Sequence, residues 1–286
     1  MRYEIRELNI GGILDQAIAV TKDNLWLFVK IVVILFVPFT MVSNWVILVN
    51  AAAMQAGERG FVAWAAVLAM VSWLIVYPLT NAAVIYAIAS CYLNRPISLL
   101  IAFRRATGVF LRLLGTMMLF GLAIGLASMV LAILMAVITP LHLGVVLVSV
   151  VALSLILLLL VYALRYLLTV QVVVLEGLAG PSAFRRSRQL MRGNTGTAMV
   201  LGLLVLVIGW AVGAMQALIP QIHLRVVIAS LIQGMIFIFG AAAWVVLYFS
   251  CRAKAEHFDL ALLADAVGTD DDQPAPILDV SPGETR

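Results

Sequence analysis

The stretch PSAFRRSRQLMRGN, residues 181–194, sets four arginines between two long apolar runs. Pro181 suits the first turn of a helix, and Gly193-Asn194 suits the end of one. Between them, Ala183 or Phe184 with Leu190 and Met191 form an apolar face. Arg185, Arg188 and Arg192, at i, i+3 and i+7, share another. Such a helix lies in a membrane interface, with its apolar side buried and its arginines toward anionic head groups.

The same alternation extends over the whole chain. Six apolar runs, at about 25–54, 61–93, 109–139, 143–175, 195–219 and 226–251, take up most of the 286 residues. A helix needs about 20 apolar residues to cross a hydrocarbon core of ~30 Å. The runs show no period-two alternation, which excludes a membrane β-barrel. The composition is 64% hydrophobic and 11% charged, with a mean hydropathy of +1.13. A water-soluble domain built this way would expose large apolar patches.

Basic residues fall in alternate gaps. Arg2, Arg6, Lys22 and Lys30 precede or enter the first run. Arg95, Arg104, Arg105 and Arg112 follow the second. Arg165, Arg185, Arg186, Arg188 and Arg192 surround the end of the fourth, and Arg252 and Lys254 follow the sixth. The other gaps hold only Arg59 and Arg225. The positive-inside rule therefore predicts cytoplasmic termini and an all-α, multi-pass protein of the cytoplasmic membrane. Its six transmembrane helices form three hairpins, with amphipathic interfacial helices on the cytoplasmic side. Residues 1–24 form an N-terminal amphipathic helix, 25–257 the transmembrane domain, and 258–286 an acidic, disordered tail. The first 24 residues lack the apolar core of a cleaved signal peptide. Cys91 and Cys251 fall near cytoplasmic helix ends and are expected to be free thiols.

Two further segments resemble 181–194. Ile10, Ile13, Leu14, Ala17 and Ile18 define one apolar helix face, and Asp23 or Asn24 offers an N-cap for the first span. Ile97, Leu100 and Ile101 define another, with Pro96 near the helix start and Gly108 near its end. Phe103-Arg104-Arg105-Ala106 matches Phe184-Arg185-Arg186-Ser187, 81 residues later, and Leu14–Ala17 holds the equivalent place upstream. This predicts three units, each an interfacial helix followed by a membrane hairpin. The second and fourth runs exceed the membrane's thickness, so 82–94 and 166–176 should project and pack with the interfacial helices as a collar.

Val174-Leu175-Glu176-Gly177, Pro181, Ala183 to Ser187 and Leu190-Met191-Arg192-Gly193, with Gly12-Ile13-Leu14-Asp15-Gln16-Ala17, carry a family resemblance. They resemble an uncharacterised bacterial family of six-helix integral membrane proteins, similar to the membrane domain of glycerophosphoryl diester phosphodiesterases. In those enzymes catalysis belongs to a separate soluble barrel, which this chain lacks. The resemblance implies membrane architecture and no phosphodiesterase activity.

No catalytic set, nucleotide fingerprint or metal cluster is visible, and His142, His223 and His257 stand apart. The expectation is a protein that is not an enzyme and needs no cofactor. Its partners would be membrane lipids, through anionic head groups at the cytoplasmic face, and a membrane protein, but not nucleic acid. Glu176, Arg185, Arg188, Arg192, Arg104 and Arg105 are the candidates for an inner-face polar or anionic-lipid site. Glu176 has two readings: a salt bridge to Arg185 or Arg186 that fixes the interfacial helix, or a proton or head-group site. Under the first, Glu176→Gln and Arg185→Ala each lower folded yield. Pro38 and Pro78 fall within spans, and Asn44, Tyr77 and Asn81 lie near them. A substrate cavity there and simple toleration by neighbouring helices both fit. Gly121 with Gly125, and Gly209 with Gly213, have the spacing of close helix contacts. A structural, assembly or partner-binding membrane component fits best. A transporter or lipid-handling protein with a polar cavity near the first two spans is the alternative.

Overall fold

The computed structural model describes residues 6–49, 59–138, 149–150, 153–154, 160 and 164–256. Among these, the regular structure is helical throughout. In chain order the elements are α1 (Ile10–Asp23), α2 (Leu25–Val49), α3 (Arg59–Val71), a π-helical turn (Ser72–Val76), α4 (Tyr77–Tyr92), α5 (Leu99–Ile138), α6 (Thr169–Glu176), α7 (Pro181–Leu190), α8 (Thr195–Ala217) and α9 (Ile222–Glu256). Five segments are long and apolar enough to cross a membrane: Leu25–Ile47, Ala63–Tyr92, Leu99–Val130, Thr195–Gln216 and Ile222–Glu256. The predicted fourth span, 143–175, is described only in part, and the tail at 258–286 lies outside the described residues. Of that span, residues 149–150, 153–154, 160 and 164 are helical, and a turn at 165–168 leads into α6.

The core sits at the arginine-bearing end. Ala82 to Ile85, Ala87 to Ser90 and Tyr92 of α4 are buried, as are Gln171 to Leu175 of α6 and Val245 to Ala253 of α9. Small residues such as Ala82, Ala83, Ala87 and Ala241 to Ala243 let these ends approach closely. The Tyr92 and Phe249 rings stack, with centroids 5.3 Å apart. Away from this end the helices turn large apolar side chains outward, including Trp64, Met118, Leu122, Leu203 and Trp210.

Three amphipathic segments cover the core in one register. The buried residues are Ile13, Ala17 and Val20 in α1, Ala102, Ala106 and Val109 in α5, and Ala183, Ser187 and Leu190 in α7. The spacing is four then three each time. Asp15, Arg104 and Arg185 all point out, two residues after the first buried position. In α1 the exposed Ile18 departs from the expected apolar face, and Val20 takes its place. α1 is held against α9, since the Leu8 N–H donates to Ser250 Oγ at 2.9 Å and Lys254 pairs with Glu7.

The second unit departs from the expected break at Gly108. α5 runs unbroken from the amphipathic segment into the span. In the other two units an asparagine stands between the short helix and the span and bonds back to the short helix's last turn. Asn24 Nδ2 donates to Val20 O at 3.1 Å, and Asn194 Nδ2 to Leu190 O at 3.3 Å. Asn24 therefore turns its side chain back onto α1 instead of capping α2. Leu113 occupies the matching place in α5, four residues after Val109, and has no amide to close the helix. A lone glycine such as Gly108 costs only about 1 kcal/mol in a helix, too little to stop it. The start of α5 is capped by Ser98, whose Oγ accepts from Ile101 N at 3.4 Å, two residues after Pro96.

Pro78 explains the π turn. Its ring would strike the carbonyl of Leu74 in a regular α-helix, and it has no N–H to donate. One wider turn at Ser72–Val76, closed by Tyr77 N–H to Ser72 O, relieves that clash. Pro38 is carried within α2, where the helix continues on both sides.

Candidate functional site

Glu176 ends α6 at the basic end of the bundle. Gly177 follows with φ 72° and Gly180 with φ 58°, left-handed values that glycine adopts without strain. These two glycines reverse the chain, so that α7 packs back on α6. The turn is pinned from α5: Arg112 Nη1 donates to Gly177 O at 3.3 Å, and Gly180 N donates to Thr116 Oγ1 at 2.9 Å.

The reversal brings Arg186 onto Glu176. Arg186 Nε lies 2.8 Å from Glu176 Oε2 and 3.1 Å from Oε1. The pair is largely buried, with side-chain exposures of 20% for Arg186 and 11% for Glu176. Tyr248 of α9 donates its hydroxyl to Glu176 Oε1 at 2.7 Å. The Arg186 guanidinium also pairs with Glu256, which accepts from Arg252 Nε at 2.9 Å. Burial alone would pull the Arg186 pKa down. The bonds to Glu256 and Glu176 outweigh it and hold the group above the ordinary arginine value. Two carboxylates balance two guanidinium groups, so the network adds no net charge while joining α6, α7 and α9.

The other candidates separate. Arg185 and Arg188 are exposed on the face of α7 turned away from the core, and Arg192 is exposed in the turn that follows α7. Arg186, not Arg185, meets Glu176, because the buried stripe Ala183, Ser187, Leu190 rotates Arg186 to the flank and Arg185 outward. Arg104 is exposed on α5. Its neighbour Arg105 is half-buried, with its guanidinium 5.7 Å from the Tyr86 ring centroid and its Nε buried without an acceptor among the described residues. These two lie on a different unit from α7.

Asn44, Tyr77 and Asn81 are also set apart. Asn44 Nδ2 donates to Ser230 Oγ at 3.2 Å and to Gln233 Oε1 at 3.3 Å, tying α2 to α9. Asn81 is half-buried on α4. Tyr77 meets the rings of Trp73 and Phe237 and lines two cavities, of about 210 Å³ and 530 Å³. Neither asparagine lines either one. Thr80 is fully buried, and its hydroxyl has no partner among the described residues. Thr80→Val should therefore be neutral or stabilising, by up to about 1 kcal/mol, since an unpartnered hydroxyl keeps only its desolvation cost. The check is the thermal midpoint in detergent.

Two members of the network, Tyr248 and Glu256, escaped the sequence. Tyr248, Arg252 and Glu256 follow one another at i, i+4 and i+8 on α9, a spacing that puts them on one face. That signal marks a polar stripe without showing which helix it faces. Among the described residues, no group of histidine, cysteine or acidic side chains is placed to hold a metal ion.

Residues 61–280 match the family described as Domain of unknown function (DUF8558), and since this is most of the chain, the protein belongs to that family. Comparison with curated proteins and with solved structures found no match.

Proposed function

We propose that this chain is a multi-pass protein of the bacterial cytoplasmic membrane, with six spans in three hairpins and both termini inside. In this reading it is not an enzyme and works as a structural or assembly component that holds partners at the inner face. The resemblance to the membrane domain of glycerophosphoryl diester phosphodiesterases supports the architecture and brings no phosphodiesterase chemistry.

One observation carries the reading. α7 has two faces with different fates: Ala183, Arg186, Ser187 and Leu190 are used by the fold, while Arg185 and Arg188, with Arg192 in the turn beyond, are exposed. A locked helix presenting a row of guanidinium groups is a docking rim for anionic head groups or for acidic segments of a membrane protein. Near a membrane surface each basic residue contributes about 1 kcal/mol toward anionic lipid.

The test is charge reversal of Arg185, Arg188 and Arg192 to glutamate, followed by extraction in native lipid particles and mass spectrometry. The variant should keep the wild-type thermal midpoint and lose a co-extracted protein or the enrichment in anionic lipid. Unchanged partners and lipids in a folded variant would remove the docking role.

A further inference from the structure

We propose that the 530 Å³ cavity beside α4 and α5 is a binding site for one acyl chain of an anionic phospholipid, whose phosphate is held by Arg112 and Arg165. This rests on the membrane placement proposed above and goes beyond the role of α7.

The cavity lies between the π turn, α4, α5 and the segment 164–170, with Trp73, Tyr77, Leu114, Met117, Gly121 and Tyr166 on its walls. Its size falls within the range of about 300–1,000 Å³ usual for ligand pockets. The hydroxyls of the two lining threonines are turned to backbone: Thr116 donates to Arg112 O at 2.7 Å and Thr169 to Tyr166 O at 2.6 Å. The walls thus offer an occupant almost only apolar surface. Trp73, Met118 and Leu160 line the cavity and are also exposed on the outer flank of the helices, so among the described residues it opens sideways. In a bilayer that side faces lipid.

The wall contains the π turn that Pro78 requires, and this turn sets Trp73 and Leu74 on the cavity surface. One observation separates this site from an ordinary packing gap: charge changes at one end. Arg112 lies one helical turn from Thr116 toward the basic end, and Arg165 stands between the lining residues Leu164 and Tyr166. Both are exposed. An apolar slot open to lipid, with two guanidinium groups at the head-group level, matches an acyl chain joined to a phosphate. A neutral apolar solute would draw nothing from this charge, of which Arg112 spends Nη1 on Gly177 O.

The test uses the full chain in nanodiscs of equal phosphatidylglycerol and phosphatidylcholine, released gently into native mass spectrometry. One phosphatidylglycerol per chain should be retained. A Cβ at Gly121 meets no atom within 4 Å, so Gly121→Trp should fill the cavity without disturbing the fold. Retention should then fall about tenfold, equivalent to denying burial to roughly two methylenes. Gly213→Trp, on a glycine equally open but lining no cavity, should retain lipid as wild type does. Replacing Arg112 and Arg165 with glutamine should erase the preference for phosphatidylglycerol. Equal retention in Gly121→Trp, or no retained lipid in the wild type, would overturn the site. A second arm needs no variant: phosphatidylglycerol with a photoactivatable acyl chain should label residues 113–121, Leu160 and residues 164–170. Labelling spread evenly over the exposed helix flanks would refute the proposal. The membrane placement is checked separately by whether the wild-type protein leaves the membrane fraction without detergent.

Discussion

Glu176→Ala should cost about 3 kcal/mol of stability, the low end for breaking a buried ion pair by removing one partner. The substitution takes away both oxygens that receive Arg186 Nε, and the acceptor of the Tyr248 hydroxyl. It leaves a guanidinium that is four-fifths buried with Glu256 as its remaining carboxylate. That remaining pair, and the modest exposure of both groups, keep the loss from the upper end of the range. Glu176→Gln keeps an oxygen for Tyr248 and loses the charge, so its cost should be smaller. Tyr248→Phe removes one hydrogen bond and should cost about 1 kcal/mol. Arg185→Ala should change nothing measurable, because Arg185 is exposed and Arg186 holds the bridge. Thermal unfolding in detergent ranks the four variants. A local readout accompanies it: Cys251 is 1% exposed on α9, three residues from Tyr248. Its alkylation should speed up in Glu176→Ala before the bundle unfolds as a whole. If Arg185→Ala proved as damaging as Glu176→Ala, the assignment of the pair would be wrong.

The order of apolar runs and arginines was enough to place α2, α3 with α4, α8 and α9, because a helix buried in apolar surroundings needs little more than length and hydrophobicity. The equivalence of Phe103-Arg104-Arg105-Ala106 with Phe184-Arg185-Arg186-Ser187 extends to the burial of each position. It reflects a shared stripe of small residues, and short motifs preserve such stripes. The fusion of α5 was hidden, because it depends on Leu113 lacking the amide that Asn24 and Asn194 use, a comparison that requires the units to be aligned first. The Glu176 bridge was readable to within one residue. The apolar stripe of α7 sets which arginine faces inward, and a shift of one position turns a side chain by about 100°. Tyr248 and Glu256 were not readable, since local spacing shows a face but not the neighbour it meets. The same limit applies to Asn44, which sits near a proline yet spends its amide on Ser230 and Gln233 across the helix seam.

Gly234→Leu should be the most damaging single change in the apolar part of the bundle, costing about 3 kcal/mol or more through overpacking. A Cβ on Gly234 would lie 3.1 Å from Val32 Cγ1 and 3.1 Å from Val37 Cγ2, both on α2. Two methyl groups cannot both withdraw when each is branched at Cβ and stiff at χ1. The backbones must part instead. That movement strains the Asn44 bonds to Ser230 and Gln233 on one side, and the Phe36–Phe237 stack, with centroids 4.7 Å apart, on the other. Even Gly234→Ala should cost about 1–3 kcal/mol. Gly209 and Gly213 provide the contrast, since a Cβ on either meets nothing within 4 Å. Gly213→Ala should be neutral or stabilising by up to about 1 kcal/mol, the usual gain for alanine over glycine in a helix. Ser230 and Gly234 have the same four-residue spacing as Gly209 and Gly213, so the motif alone does not separate a packed seam from an open flank. Val32→Ala should recover part of the Gly234→Ala loss, because it removes one of the two opposing methyl positions. A double-mutant cycle on thermal stability measures that coupling, and strict additivity would show that Gly234 does not meet Val32.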